Sequence, residues 1–169
     1  MGDSHRHWEL AKFVARTFPE ATRVADVAGG HGVVAFFLRE LGLASTTIDT
    51  RDTGLPRRMR RQLRKRSVAQ GRLIEVPRIV ADIRELDLSE FDLVVALHPD
   101  EATEPTVRAA VEQHKAFAIV PCCVFSLDGV KRSREGWVDY LASLAPGATT
   151  DTLPIDGANK VVWRRTPKA

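Results

Sequence analysis

Cysteine is nearly absent from this chain. Its 169 residues hold two, Cys122 and Cys123. Sequence neighbours make poor partners for a structural disulfide, which excludes a disulfide-stapled fold and predicts a reducing, cytoplasmic setting. Long apolar runs are missing as well. None approaches the roughly 20 residues that cross a bilayer, so no membrane association is expected. The opening MGDSHRHWELAKFV has no uninterrupted apolar stretch and no small-residue cleavage site, so no signal peptide is expected. A myristoylation pattern starting at Gly2 needs Ser or Thr where Arg6 stands. No internal repeat, low-complexity tract or linker interrupts the chain. The expectation is one domain over residues 1–169, long enough to bury a core.

Charge is present but poorly mixed. The net charge is +3, yet residues 51–66, RDTGLPRRMRRQLRKR, carry eight Arg or Lys against one Asp. That is a local +7, which leaves −4 for the rest of the chain. Basicity gathered in one segment calls for a specific explanation.

Strand and helix patterns alternate along the chain. A leading helix over residues 5–18 ends near Pro19. Strands follow in RVADVA, STTIDT, RIVADI, FDLVVALH and KAFAIVPCCVF, the last ending at Pro121. Between and after them, GVVAFFLRELG, LPRRMRRQLRKRSVAQG, ATEPTVRAAVEQH and SREGWVDYLASLA have helical spacing. In the arginine-rich helix, Leu55, Met59 and Leu63 recur every four residues and are expected to pack inward, leaving the arginines outside. TTDTLPI and KVVWRR, joined by DGAN, read as a closing hairpin. The alternation predicts a parallel sheet covered on both faces.

In an open parallel sheet, ligands bind beyond the carboxyl ends of the strands. The first strand ends at VADVAGGHGVVA, with Gly29, Gly30 and Gly32 inside four residues. Glycine permits close backbone approach and positive φ. Without a ligand, the same residues make a tight strand-to-helix connection. With one, two cofactors compete. Gly30 to Ala35 fits G-x-G-x-x-A, with Asp49 at the spacing of a ribose-binding acid, which suits a nicotinamide dinucleotide. Asp26, however, precedes the glycines. A carboxylate there opposes a pyrophosphate, whereas it suits the methionine ammonium of S-adenosylmethionine, directly or through water. Asp49 and Asp82 end the next two strands, placed to accept from ribose hydroxyls and from an adenine amino group.

DVAGGHG resembles the first motif, D-x-G-x-G-x-G, of class I S-adenosylmethionine-dependent methyltransferases, with Ala28 in place of the first glycine. IDTR is similar to the second motif and ADIREL to the third, so the resemblance covers nearly the whole chain. It implies a Rossmann-like α/β fold with a mostly parallel seven-stranded sheet, a C-terminal antiparallel hairpin and helices on both faces. It also implies S-adenosylmethionine as cofactor, contacted by Asp26, Ala28, Gly29, Gly30, Gly32, Asp49, Thr50, Asp82, Ile83 and His98.

VVALHPDEATEP and AIVPCCVF resemble a subgroup with LH-x-C-[GD]-x-A-T after strand four and PCC after strand five. That subgroup includes tRNA ribose 2′-O-methyltransferases. His98, Ala102, Thr103, Pro121, Cys122 and Cys123 match, but the cysteine after LH-x is missing and Asp100 follows directly. The resemblance makes His98, Pro121 and Cys122 the catalytic candidates. His98 is suited to accept a proton, or else to orient a backbone group or Asp100. Cys122 or Cys123 is nucleophilic only with a depressed pKa, and otherwise shapes the pocket. His98, Cys122 and Cys123 are zinc-ligand types, but adjacent cysteines lack the usual C-x₂₋₄-C spacing, so no metal is expected.

The acceptor expected from the basic helix is RNA, bound by Arg57, Arg58, Arg60, Arg61 and Arg64. The alternative is a solvated basic face. Few aromatics stand nearby, so base stacking on this helix is not expected. A K-D-K-E ribose-methylation tetrad cannot be assembled from the sequence. Other readings are a protein side chain or small metabolite as acceptor, or a non-catalytic cofactor-binding partner protein. A nicotinamide oxidoreductase is disfavoured by Asp26. The oligomeric state stays open.

Overall fold

The computed structural model describes residues 4–166. The Gly2 reading and the outermost residues of the expected domain lie outside them. Helix α1 (Ser4–Thr17) leads into β1 (Arg23–Val27), α2 (Val33–Glu40), β2 (Ala44–Asp49), α3 (Arg57–Gln70) and β3 (Arg78–Val80). Then come β4 (Leu93–Leu97), α4 (Thr103–Glu112), β5 (Ala116–Val120), α5 (Arg134–Ser143), β6 (Thr149–Thr152) and β7 (Lys160–Arg164).

The seven strands form one sheet in the order β3-β2-β1-β4-β5-β7-β6. Strands β1 to β5 run parallel. Strand β7 is antiparallel to both β5 and β6. The predicted doubly covered parallel sheet with a closing hairpin is therefore the observed architecture.

Alternation along each strand explains the two covered faces. In β4, Leu93 and Val95 join Leu10, Val14 and Phe18 of the α1 region and Val34 and Leu38 of α2. The intervening Val94 and Ala96 join Val107 of α4 and Trp137 and Leu141 of α5. Both sets are fully or almost fully buried. Among the described residues, no helix is long and apolar enough to cross a membrane.

Two local expectations change. The strand predicted over RIVADI stops at Val80, because the Asp82 side chain accepts from the Arg84 N–H at 2.9 Å and starts a 3₁₀ turn at Ile83–Glu85. Of the three apolar residues expected to pack inward from this segment, only Leu63 is buried; Met59 of α3 and Leu55, which precedes the helix, are half-buried. This helix has little contact with the other elements, so little of its surface is covered.

Candidate functional site

Strand order reverses between β1 and β4, which opens a crevice at the carboxyl ends of the strands. A cleft of ≈ 540 Å³ lies there, within the roughly 300–1,000 Å³ of small-ligand sites. One wall comes from β1 and β2 with Ala28, Asp49, Thr50 and Arg51. Beyond β3 stand Asp82, Ile83 and Arg84; opposite are Pro99, Asp100 and Phe125.

The glycine turn is built by two different requirements. Gly29 is needed for packing: a Cβ there would stand 2.5 Å from Asp26 Oδ2 and 2.8 Å from Thr47 Cγ2. Gly30 is needed for conformation: its φ is +53°, with open space around it. Gly32 needs both, with φ +79° and Thr47 Oγ1 2.6 Å from an added Cβ. Ala28 lines the cleft with φ 50°, a left-handed conformation that costs a non-glycine residue about 1–3 kcal/mol.

The three acids expected at the strand ends have different surroundings. Asp26 has no exposed surface and does not line the cleft. Its Oδ2 accepts from the Ala35 N–H at 3.1 Å, whereas Oδ1 has no hydrogen-bond partner. Burial pushes its pKa up to about 7, against the lowering influence of the Ala35 bond and of Arg78. Asp26 thus anchors the first turn of α2 from beneath the glycine loop.

Asp49 is 5% exposed and lies on the cleft floor. Burial alone would raise its pKa, but bonds from Arg51 and Gly30 outweigh burial and hold it below the usual carboxylate range. Oδ2 accepts from the Gly30 N–H at 2.8 Å, and Oδ1 accepts from the Arg51 N–H at 2.9 Å and from Arg51 Nε at 3.2 Å. Asp82 repeats the arrangement, accepting from Arg84 Nη1 at 2.8 Å. Both arginines sit two residues after one of these aspartates and on the cleft wall. The repeated D-x-R, in DTR and DIR, is the signal that names them in the sequence.

At the other end the predicted catalytic residues separate. His98 has φ 52° and turns toward the hairpin, where Nε2 lies 2.9 Å from the Ala158 carbonyl. A carbonyl only accepts, so Nε2 carries the proton. His98 is not part of the cleft lining, and its geometry matches the backbone-orienting alternative. Pro121 lines a different pocket of ≈ 280 Å³, with Val138 and Ala158. The Cys122 thiol donates to Asp100 Oδ1 at 2.9 Å. Burial and this bond push its pKa up to about 12, the opposite of the depression that a nucleophilic thiol needs.

Two further residues complete this end. Phe125 faces the cleft from the segment after β5. The fully buried Glu104 of α4 accepts from the Leu127 N–H at 2.8 Å, from Arg108 Nη2 at 2.7 Å and from the Tyr140 hydroxyl at 2.9 Å. It thereby ties down the segment that carries Phe125. A buried glutamate in TEPTV reads as an ordinary helix-start acid in the sequence, so nothing there announces this role.

The arginines of α3 lie outside the cleft. Arg57, Arg58, Arg60, Arg61 and Arg64 are all exposed, and none has an ion pair among the described residues. Arg60 and Arg64 line a second groove of ≈ 560 Å³ with Leu63, Val68 and Leu73. Arg51, in the cleft wall, belongs to the same basic segment of the sequence.

Residues 7–129 match a family described as methyltransferase domain. No curated protein matches the chain in sequence. Many solved structures share its fold. One is the S-adenosylmethionine-dependent methyltransferase SibL, at TM-score 0.59 and 16% identity; the match covers 94% of this chain but only 55% of SibL. Another is CalS10 bound to S-adenosylmethionine, an amino pentose methyltransferase from Micromonospora echinaspora. It has TM-score 0.61 and 16% identity, over 97% of this chain and 92% of that one. A third is the Pyrococcus abyssi tRNA (uracil-54, C5)-methyltransferase in complex with S-adenosyl-L-homocysteine. There TM-score is 0.61 and identity 15%, over 95% of this chain and 38% of the other.

Proposed function

The chain belongs to the methyltransferase-domain family that its residues 7–129 match, and from that premise we propose that it methylates RNA. Its cofactor is S-adenosylmethionine, which supplies a methyl group already activated on a sulfonium. The cleft residues fit that molecule. Asp49, held ionised, offers about four lone-pair positions, of which Gly30 and Arg51 take three. One ribose hydroxyl can therefore be accepted as the site stands. A second is accepted once the Arg51 side chain, 72% exposed, turns away. Ala28, Thr50, Asp82 and Ile83 supply the remaining walls on this side.

The protein's work is then mostly positional, because an activated methyl group needs an aligned nucleophile more than covalent help. Phe125 and the turn at Pro99 and Asp100 bound the acceptor end. Glu104 fixes the segment that carries Phe125.

The observation that supports RNA as acceptor is the row of exposed α3 arginines, Arg57, Arg58, Arg60, Arg61 and Arg64, without ion pairs among the described residues. Arginine without a protein partner is free to release counterions from a phosphate backbone. The test incubates the full chain with tritiated-methyl cofactor and separated RNA, protein and metabolite fractions. Label is expected in RNA, and lost when Arg57, Arg58, Arg60 and Arg61 are changed to Gln. Label confined to protein or metabolites, or unchanged RNA labelling by that variant, overturns the proposal.

A further inference from the structure

The two strands that frame the acceptor end bring together a donor set that the sequence keeps apart. Leu97 of β4 pairs with Val120 of β5, and the His98 N–H donates to the Val120 carbonyl at 2.9 Å. Asp100 and Cys123 each follow three residues after that pair, with Cys122 alongside. Asp100 has φ 49°, a left-handed conformation that aspartate tolerates better than most residues. The result is one carboxylate and two thiols whose ligand atoms all lie within 4.8 Å of one another. Cys122 Sγ and Asp100 Oδ1 are already 2.9 Å apart.

These distances suit a metal ion. In a tetrahedral zinc site with Zn–S near 2.3 Å, two thiolates stand about 3.8 Å apart. Closing from 4.8 Å or less asks for a side-chain adjustment of about 1 Å, and Asp100 and Cys123 are exposed and free to make it. The donor types select the ion as well. Paired thiolates favour zinc over magnesium or calcium, and a carboxylate is an ordinary third zinc ligand. His98, a zinc-ligand type by sequence, is not needed, since its Nε2 is committed to Ala158.

We propose that Asp100, Cys122 and Cys123 bind one zinc ion at the acceptor end of the cleft. Three protein ligands leave a fourth position open, the pattern of zinc sites that bind water or substrate. Asp100 also lines the cleft, so the ion borders the space where the acceptor sits. An acceptor hydroxyl, thiol or ring nitrogen is the class of ligand for the open position. Binding deprotonates both thiols and releases their protons to solvent.

The experiment uses the freshly reduced, chelator-treated full chain, titrated with cobalt(II) and then with zinc. The chain has only two cysteines, so any thiolate-to-cobalt charge-transfer absorption reports this site alone. Expected are one equivalent of cobalt with tetrahedral d–d bands and displacement by zinc. Charge-transfer intensity halves in C122S or C123S, and Asp100→Asn weakens zinc affinity at least tenfold. Circular dichroism of each variant checks that the fold persists. Absence of the charge-transfer band in the wild type overturns the proposal. An unchanged affinity in folded Asp100→Asn overturns the three-ligand site.

Discussion

Helices α3 and α4 do the same topological job and are held in opposite ways. Each connects two strands of the parallel part of the sheet. The 14 residues of α3 bury only Leu63. The 10 residues of α4 bury seven, including Thr103, Glu104 and Thr106. Buried polar groups must find partners, and those of α4 do: Thr103 Oγ1 donates to the Asp100 carbonyl and Thr106 Oγ1 to that of Ala102. Thus α4 is a fixed wall that sets the acceptor end of the cleft. By contrast, α3 contributes little to the core and keeps its charges for something outside the chain.

The sharpest way to break this contrast is at Glu104. Removing it with Glu104→Ala takes the acceptor from the Leu127 N–H, Arg108 and Tyr140 together, and is expected to cost about 2–4 kcal/mol in urea unfolding. A loss below 1 kcal/mol would make α4 no better anchored than α3. Next comes Asp49→Ala, which is expected to weaken S-adenosylmethionine binding by about 1.5–3 kcal/mol in calorimetric titration while the fold survives. Gly29→Ala forces a Cβ against Asp26 and Thr47 and is expected to destabilise by about 1–3 kcal/mol.

A pH titration separates the buried acid from the exposed helix. Burial raises the Asp26 pKa from 3.8 to about 7, so the folded state holds that proton when the unfolded chain has lost it. Stability is therefore expected to fall as pH rises from the ordinary aspartate range, by up to about 1.4 kcal/mol per unit, and to level off above the folded value. Asp26→Asn removes that limb; if the limb persists in the variant, another group causes it. The smallest stability effect belongs to α3. Changing Arg57, Arg58, Arg60 and Arg61 to Gln is expected to alter unfolding by no more than about 0.5 kcal/mol. The same change lowers the salt dependence of RNA binding by up to about 3 log units per log unit of salt.

The sequence carries the fold because its signals are local and repeated. Apolar strand runs, Gly42 and Gly71 after helices, and the closing hairpin all fall where the structure has them. The cleft's first wall is legible for the same reason: Asp49 ends its strand, Asp82 follows the next one closely, and glycines follow Asp26. What the sequence hides is direction. Nothing in LHPDE says that His98 takes a positive φ and turns toward Ala158, while Asp100 turns toward Cys122. Spacing likewise cannot reveal that Asp26 is sealed beneath the loop, since burial depends on α2 closing over it.

The last two strands reverse their order of synthesis in space. Strand β6 is made first and lies at the edge, while β7 is made later and fills the place beside β5. On the side away from β4, Phe117 of β5 pairs with Arg164, a pairing of long loop closure and therefore slow. Until it forms, the wholly apolar β5 offers an open edge to any other strand, the usual starting point of aggregation. On the ribosome this sheet stays unsealed until its seventh strand has emerged.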